Sequence, residues 1–308
     1  MEKRLKEGLE ELAENPVQWG CQLAPFTSFG IGGPADALVQ VESGEELNNL
    51  LNFFVDNSLA WQFIGRGSNL LVSDSGFSGV VLLFGKALSQ IEILSDAKSV
   101  DIRVRVGAGC SLARLLNWCT DNSYSGLEFA VGIPGSLGGA VVMNGGAWGG
   151  EIADIIDSIS VLSYHSGAEH LERSELDFRY RVWGNQGTGE KKRIVLSADI
   201  CLKPGKKEDI QRECREYLAQ RKVKQPKGTR NAGSFFKNPE GDSAGRLIEA
   251  SGLKGKSCGG AMVSPVHANF LVNTGEATAK DVYKLMDIVI RQVKKDSGVH
   301  LFPEVHFL

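Results

Sequence analysis

Between Gly132 and Gly150 the chain reads GIPGSLGGAVVMNGGAWGG, eight glycines in nineteen residues around the apolar run Ala140–Met143. A second glycine-rich stretch, IGRGSNLLVSDSGF, covers 64–77, and a third, TSFGIGGPAD, covers 27–36. Backbone this bare lets main-chain N–H groups approach and donate to phosphate oxygens, because no Cβ stands in the way. A solvent linker would be polar throughout, and a buried strand would avoid so much glycine, so neither explains the pattern. Two common phosphate-binding fingerprints fail. The Walker pattern finds its tail at Gly255-Lys256-Ser257, but Ala250 holds its first glycine position and the site follows a helix. The pattern GxGxxG begins at Gly65-Arg66-Gly67, but Leu70 holds its last glycine position, and no acidic residue follows at the required distance on a second strand. What remains is two glycine loops, each expected to follow a strand, that together suit a dinucleotide pyrophosphate. Ser68, Asn69, Ser136 and Asn144 would add side-chain donors. Tight turns in a strand-rich domain are the alternative for any one loop.

The rest of the chain must supply elements that carry these loops. At 308 residues it is long enough for two or three domains and a substantial core. A hydrophobic content of 42% with 23% charged residues is that of a soluble globular protein. The net charge of -3 gives no reason to expect nucleic acid as a partner. The opening MEKRLKEGLEELAENP is charged throughout and has no apolar stretch of the secretory type, while Leu5, Leu9 and Leu12 share one helical face. No run has the length of a membrane span. Six cysteines (Cys21, Cys110, Cys119, Cys201, Cys214, Cys258) show no CxxC pair. They read as reduced thiols of a cytoplasmic protein, with no disulfide framework and no zinc site, and the histidines lack metal-ligand spacing.

Periodicity predicts a helix over Gly44–Asn57 and strands near Trp61–Gly65 and Gly79–Phe84. The strict alternation of Val100–Val106 marks a half-buried strand, and Ser111 caps a helix over Leu112–Thr120. Strands follow at Ile155–Tyr164 and Arg193–Leu202, then a charged helix over Lys207–Lys222. The segment KQPKGTRNAGS is a candidate domain boundary. Beyond it, Ser243 caps a helix through Ala250 closed by Gly252, and a strand runs over Ala268–Val272. Thr278 caps the longest helix, striped by Val282, Leu285, Met286, Val289 and Val293, and HLFPEVHFL ends the chain as a strand. Strands and helices in changing order indicate α+β architecture in several lobes.

Three segments in order, IGRGSNLLVSD, GIPGSLGGAVVMNGGAWGGEI and NAGSFFKNP, resemble the UDP-N-acetylenolpyruvoylglucosamine reductases, the MurB family of peptidoglycan synthesis. The likeness runs from about Thr27 to Val305. It implies an α+β fold with a PCMH-type (vanillyl-alcohol-oxidase-like) FAD-binding region of two lobes, 1–86 and 87–213, and a C-terminal substrate-binding lobe, 214–308. FAD would be tightly bound and non-covalent, and NADPH the reductant. The implied reaction reduces the enolpyruvyl ether of UDP-N-acetylglucosamine enolpyruvate to the lactyl ether. Cofactor contacts would come from Gly65, Arg66, Gly67, Ser68, Asn69 and Leu70 in one loop. In the other they would come from Gly132, Ile133, Pro134, Gly135, Ser136, Gly139, Asn144, Gly145 and Ala147.

The resemblance also implies catalytic roles. Ser234, behind Gly233 in NAGSFFKNP, matches the family's proton donor. Residue type alone leaves Arg179 and Arg181 as equal candidates for the group that holds the substrate carboxylate as it becomes an enolate. The family's Tyr-Arg pair selects Arg181, although Val182 and Trp183 depart from the small polar residue and serine that often follow. Glu304, in FPEV, matches the C-terminal glutamate, which beside an enolate would need a proton or a cation. Asn238 and Lys222 are the implied substrate-binding residues, with Lys237 a weaker candidate. His267 reads as a packing or hydrogen-bonding residue. The compact run from Phe178 to Ser234 lacks the tyrosine-bearing loop of longer members and is similar to the shorter, type II form. Two rivals stand beside this reading: a PCMH-type flavin oxidase of a small alcohol or sugar, and a nucleotide-sugar binding module without turnover.

Overall fold

A computed structural model describes residues 1–94, 101–164, 167–187 and 192–308. Contacts divide the chain into two compact units, one of Met1–Trp19, Ala37–Arg66 and Gly79–Ala219, the other of Gly20–Asp36, Gly67–Ser78 and Gln220–Leu308.

The larger unit has two cores. A sheet in the order Gln18–Gln22, Pro34–Val41, Phe77–Phe84 and Trp61–Phe63 lies mostly within it. Helices α1 (Lys3–Leu12) and α2 (Gly44–Asp56) bury Leu9, Leu47, Leu50, Leu51 and Phe54 against Val39, Val41, Val80 and Leu82. Ser43 caps α2 as a serine before a helix should, its side chain accepting the Glu46 N–H at 3.0 Å. The second core lies on an antiparallel sheet ordered Gly167–Glu172, Ile156–Ser163, Ile194–Pro204, Ile102–Gly107 and Ile91–Ile93. The alternation expected for Val100–Val106 appears as buried Ile102, Val104 and Val106 between exposed Arg103 and Arg105, with Val100 outside the described residues. Arg105 stands opposite Asp199 on the neighbouring strand and grips its carboxylate through Nε and Nη2, both at 2.8 Å. Helices α3 (Leu112–Asp121, capped by Ser111) and α4 (Leu137–Val142) cover this core. Helix α5 (Lys207–Lys224) follows, running two residues beyond the expected end.

In the smaller unit a four-stranded antiparallel sheet is ordered Arg230–Asn231, Leu271–Asn273, Ala261–Val263 and Ser257–Cys258. Helices α6 (Ala244–Ala250) and α7 (Ala279–Ser297) pack in the same core. The stripe on α7 is buried as the spacing requires, with Val282, Leu285, Val289 and Val293 fully enclosed and Met286 at the margin. Burying such a side chain is worth about 1.5–3 kcal/mol, so four in register fix the helix against the sheet. Thr278 and Asp281 form a reciprocal capping box.

Three expectations are corrected. The strand expected over Ala268–Val272 runs only over Leu271–Asn273, because Ala268 and Asn269 lie in a turn closed by the Phe270 N–H donating to His267 O at 3.0 Å. The glycine loop from Gly132 follows a single 3-10 turn, Glu128–Ala130, and not a strand. The terminal segment is a strand only at His306–Phe307, which pairs in parallel with Leu70–Leu71. Pro303 lacks an N–H and makes only an isolated bridge to Phe236, so a continuous ladder is not available there.

Candidate active site

In the smaller unit the chain reaches Ser234 through a turn. Asn231 Oδ1 accepts the Gly233 N–H at 2.9 Å, and Gly233 takes a left-handed φ of 78° that an L side chain would resist. Ser234 is half-buried, ahead of the enclosed Phe235 and Phe236. The Glu304 N–H donates to Phe235 O at 2.8 Å, and the Lys237 N–H donates to Phe302 O at 2.9 Å. Ser234 and Glu304, seventy residues apart, are thereby set on adjoining backbone segments. Asn69 joins them: its Nδ2 donates to Glu304 O at 3.0 Å, and its own carbonyl accepts the His306 N–H at 3.1 Å. Asn69 therefore serves Glu304 with the amide that was expected to face a phosphate. Asn238 is exposed and its Oδ1 accepts the Ala244 N–H at 3.1 Å, ahead of α6, while Lys222 on α5 is exposed and Lys237 half-buried.

The first glycine loop is built against the third. Gly67 has φ 58°, and a Cβ there would collide with the carbonyl oxygen of Phe26. Its own carbonyl accepts the Ser28 N–H at 3.0 Å. The loop at 27–36 is thus a buttress, closed by Thr27 Oγ1 accepting the Ile31 N–H at 3.2 Å.

In the larger unit, strands Phe178–Arg179 and Val182–Trp183 form a hairpin whose two-residue turn is Tyr180-Arg181. Arg181 has φ 59°, a left-handed conformation that costs a non-glycine residue about 1–2 kcal/mol. Its guanidinium donates to Gly146 O at 3.2 Å and to Asn144 O at 3.5 Å, and lies over the Tyr180 ring. Asn144, fully buried, returns the contact: Nδ2 donates to Arg179 O at 3.2 Å and Oδ1 accepts the Ala153 N–H at 3.0 Å. The side chain of Asn144 is thus engaged within the protein. Arg179 is exposed and ion-paired with Asp177, whose carboxyl is held below its usual range by that guanidinium. Of the two arginines, the one at the glycine loop is Arg181.

Among the described residues of this unit, the Ser136 hydroxyl is one of several buried polar groups without a hydrogen-bond partner. Ser136 is 3% exposed, and its Oγ has no hydrogen-bond partner among the described residues. A Cβ added to Gly65 would lie 2.8 Å from that oxygen. A buried hydroxyl without a partner is costly.

Residues 35–170 match the model of an FAD binding domain, and 225–308 match that of the UDP-N-acetylenolpyruvoylglucosamine reductase C-terminal domain. The reductase of Syntrophus aciditrophicus is 42% identical over 304 residues, covering 99% of this chain and 96% of its own length. The chain belongs to the UDP-N-acetylenolpyruvoylglucosamine reductase family. That of Lachnoclostridium phytofermentans is 44% identical over 93% of this chain and 91% of its own. The crystal structure of the MurB reductase from Thermus caldophilus superposes with a TM-score of 0.77 at 36% identity, covering 95% of this chain and 98% of that one. The fold is the α+β, PCMH-type FAD-binding arrangement expected of MurB reductases. FAD fits the residues present: the Ser136 hydroxyl, without a partner among the described residues, lies where the Cβ of any residue but glycine at position 65 would crowd it.

Sequence reasoning missed Asn269. It is 3% exposed and bonds to the segment that follows Ser234. The pattern carried one faint signal, an asparagine ahead of the apolar strand in SPVHANF. His267, expected as a packing or hydrogen-bonding residue, does both, Nδ1 accepting the Asn269 N–H at 3.2 Å and the ring lying edge-on to Phe270.

Proposed function

We propose that Ser234, Arg181 and Glu304 carry an NADPH-dependent reduction of UDP-N-acetylglucosamine enolpyruvate to UDP-N-acetylmuramate. The enzyme is a UDP-N-acetylmuramate dehydrogenase, an oxidoreductase of peptidoglycan synthesis and hence of cell-wall growth, shape and division, acting in the cytoplasm. No helix among the described residues is long and apolar enough to cross a membrane.

FAD, when bound, supplies the hydride that it receives from NADPH. The main chain of Gly65, Arg66, Gly67 and Ser68 and of Gly132–Ser136 and Gly139 would hold that cofactor, with Ser136 Oγ gaining the partner it lacks. Hydride addition at the terminal carbon of the enolpyruvyl group leaves negative charge on the neighbouring carbon, spread into the carboxylate as an enolate. The planar fork of Arg181 matches that carboxylate and is held ready by the Asn144 and Gly146 carbonyls. The Ser234 hydroxyl gives its proton to the charged carbon and recovers one from solvent, so one hydride and one proton add across the double bond. Glu304 polarises this exchange from the adjoining segment. Asn238 and Lys222, with Lys237, are assigned to the UDP portion of the substrate.

The observation that carries the reading is the hydrogen bond from the Glu304 N–H to Phe235 O, which sets the glutamate beside the serine segment. The test is anaerobic and optical. Purified protein should be yellow, NADPH should bleach it, and UDP-N-acetylglucosamine enolpyruvate should restore the colour without oxygen. Colour restored by oxygen but not by that substrate would assign an oxidase instead.

A further inference from the structure

We propose that Asn269 is a positioning residue for proton delivery by Ser234. The inference rests on the reading of Ser234 as the donor. Asn269 is buried, and each of its polar groups is committed to this corner of the smaller unit. Oδ1 accepts the Phe236 N–H at 2.9 Å and Nδ2 donates to Phe236 O at 2.8 Å, so the side-chain amide closes on both polar groups of Phe236 as a neighbouring strand would. The main-chain oxygen of Asn269 accepts the Phe235 N–H at 2.7 Å, and its N–H is taken by His267 Nδ1. The loop carrying it is turned by Ser264 Oγ, which accepts the Val266 and His267 N–H groups at 3.1 and 3.3 Å. On the other edge of the same segment lie the bonds from Glu304 N–H to Phe235 O and from Lys237 N–H to Phe302 O. Phe235–Lys237 is therefore bonded on both edges, by Asn269 on one and by the Glu304 segment on the other, and Ser234 leads into it.

The chemistry makes this fixing matter. A serine hydroxyl is a weak acid, so its competence depends on holding Oγ at the charged carbon, where a displacement of about 1 Å costs on the order of a hundredfold. Asn269 sets that position through the Phe235 and Phe236 backbone and touches no reacting atom.

The experiment compares the two half-reactions of the FAD-loaded enzyme by anaerobic stopped flow. Asn269→Asp keeps the acceptor for the Phe236 N–H but turns an oxygen toward Phe236 O. Its flavin should be reduced by NADPH at the wild-type rate, while reoxidation by UDP-N-acetylglucosamine enolpyruvate slows about tenfold or more, with KM nearly unchanged. In Ser234→Ala/Asn269→Asp the reoxidation rate should equal that of Ser234→Ala, because Asn269 acts only through Ser234. Fully additive losses, or equal slowing of both half-reactions, would overturn the proposal. If Ser234→Ala reoxidises normally, it is the donor assignment that fails, a different result from a normal Asn269→Asp beside a slow Ser234→Ala. Amide hydrogen exchange of the unaltered protein gives a second check needing no variant: the Phe235, Phe236 and Glu304 amides should be protected together, and rapid exchange at Phe236 contradicts the inference.

Discussion

Arg181 occupies a backbone conformation that glycine would take without cost, and its guanidinium lies on the carbonyls of the glycine loop. Such strain costs stability that the surrounding contacts must offset. Arg181→Gly and Arg181→Ala both lose the guanidinium, so their difference isolates the backbone: the glycine variant should be the more stable by about 1 kcal/mol in urea denaturation. Both should reoxidise reduced flavin about a hundredfold more slowly with substrate, the usual loss for a charge-stabilising donor. Gly65 gives a separate test of cofactor binding. A methyl there meets Ser136 Oγ, so Gly65→Ala should fold but bind FAD more weakly, read by flavin fluorescence on titration of the apoprotein. Undiminished affinity would remove Gly65 and Ser136 from the cofactor site.

The elements were legible where a pattern repeats within one segment. Ser111, Ser243 and Thr278 each cap the helix expected of them, and the α7 stripe is enclosed. Leu285→Ala should therefore cost about 2–5 kcal/mol by chemical denaturation. Contacts over long separations were not legible. Asn269 acts on residues 33 positions away, and Asn69 on one 235 away, and neither spacing leaves a period in the sequence. The hydrogen-bonding role of His267 was legible, but not its consequence for pH. Burial, chiefly, and nearby Lys254 hold its pKa below the ordinary 6.5, so the folded protein favours the neutral ring whose Nδ1 accepts the Asn269 N–H. The unfolded chain then binds the proton first as pH falls. Stability from this group is present above pH 6.5 and is lost as pH falls through the folded pKa. His267→Gln should flatten that part of a stability-against-pH curve, and an unaltered slope would show the ring is not the cause.

For the whole chain, the changing order of strands and helices indicated an α+β fold, and the flavin fold and the family came from the resemblance carried by three motifs in order, whereas the buttressing of the first glycine loop depends on backbone contacts with residues distant in the chain. The six cysteines are free, with Cys110 and Cys119 buried and burial pushing Cys119 up to about 12. Native protein at neutral pH should leave Cys110 and Cys119 unmodified by a thiol reagent until denaturant is added. FAD binds the folded chain, so its removal should lower stability, by about 2.7 kcal/mol relative to protein held at a hundred times the dissociation constant. The most direct test of the account is the pair of half-reactions in Ser234→Ala. The expected result is flavin reduced by NADPH as in the unaltered enzyme but scarcely reoxidised by the enolpyruvyl substrate. Reoxidation at the unaltered rate, or equal loss of both steps, would contradict it.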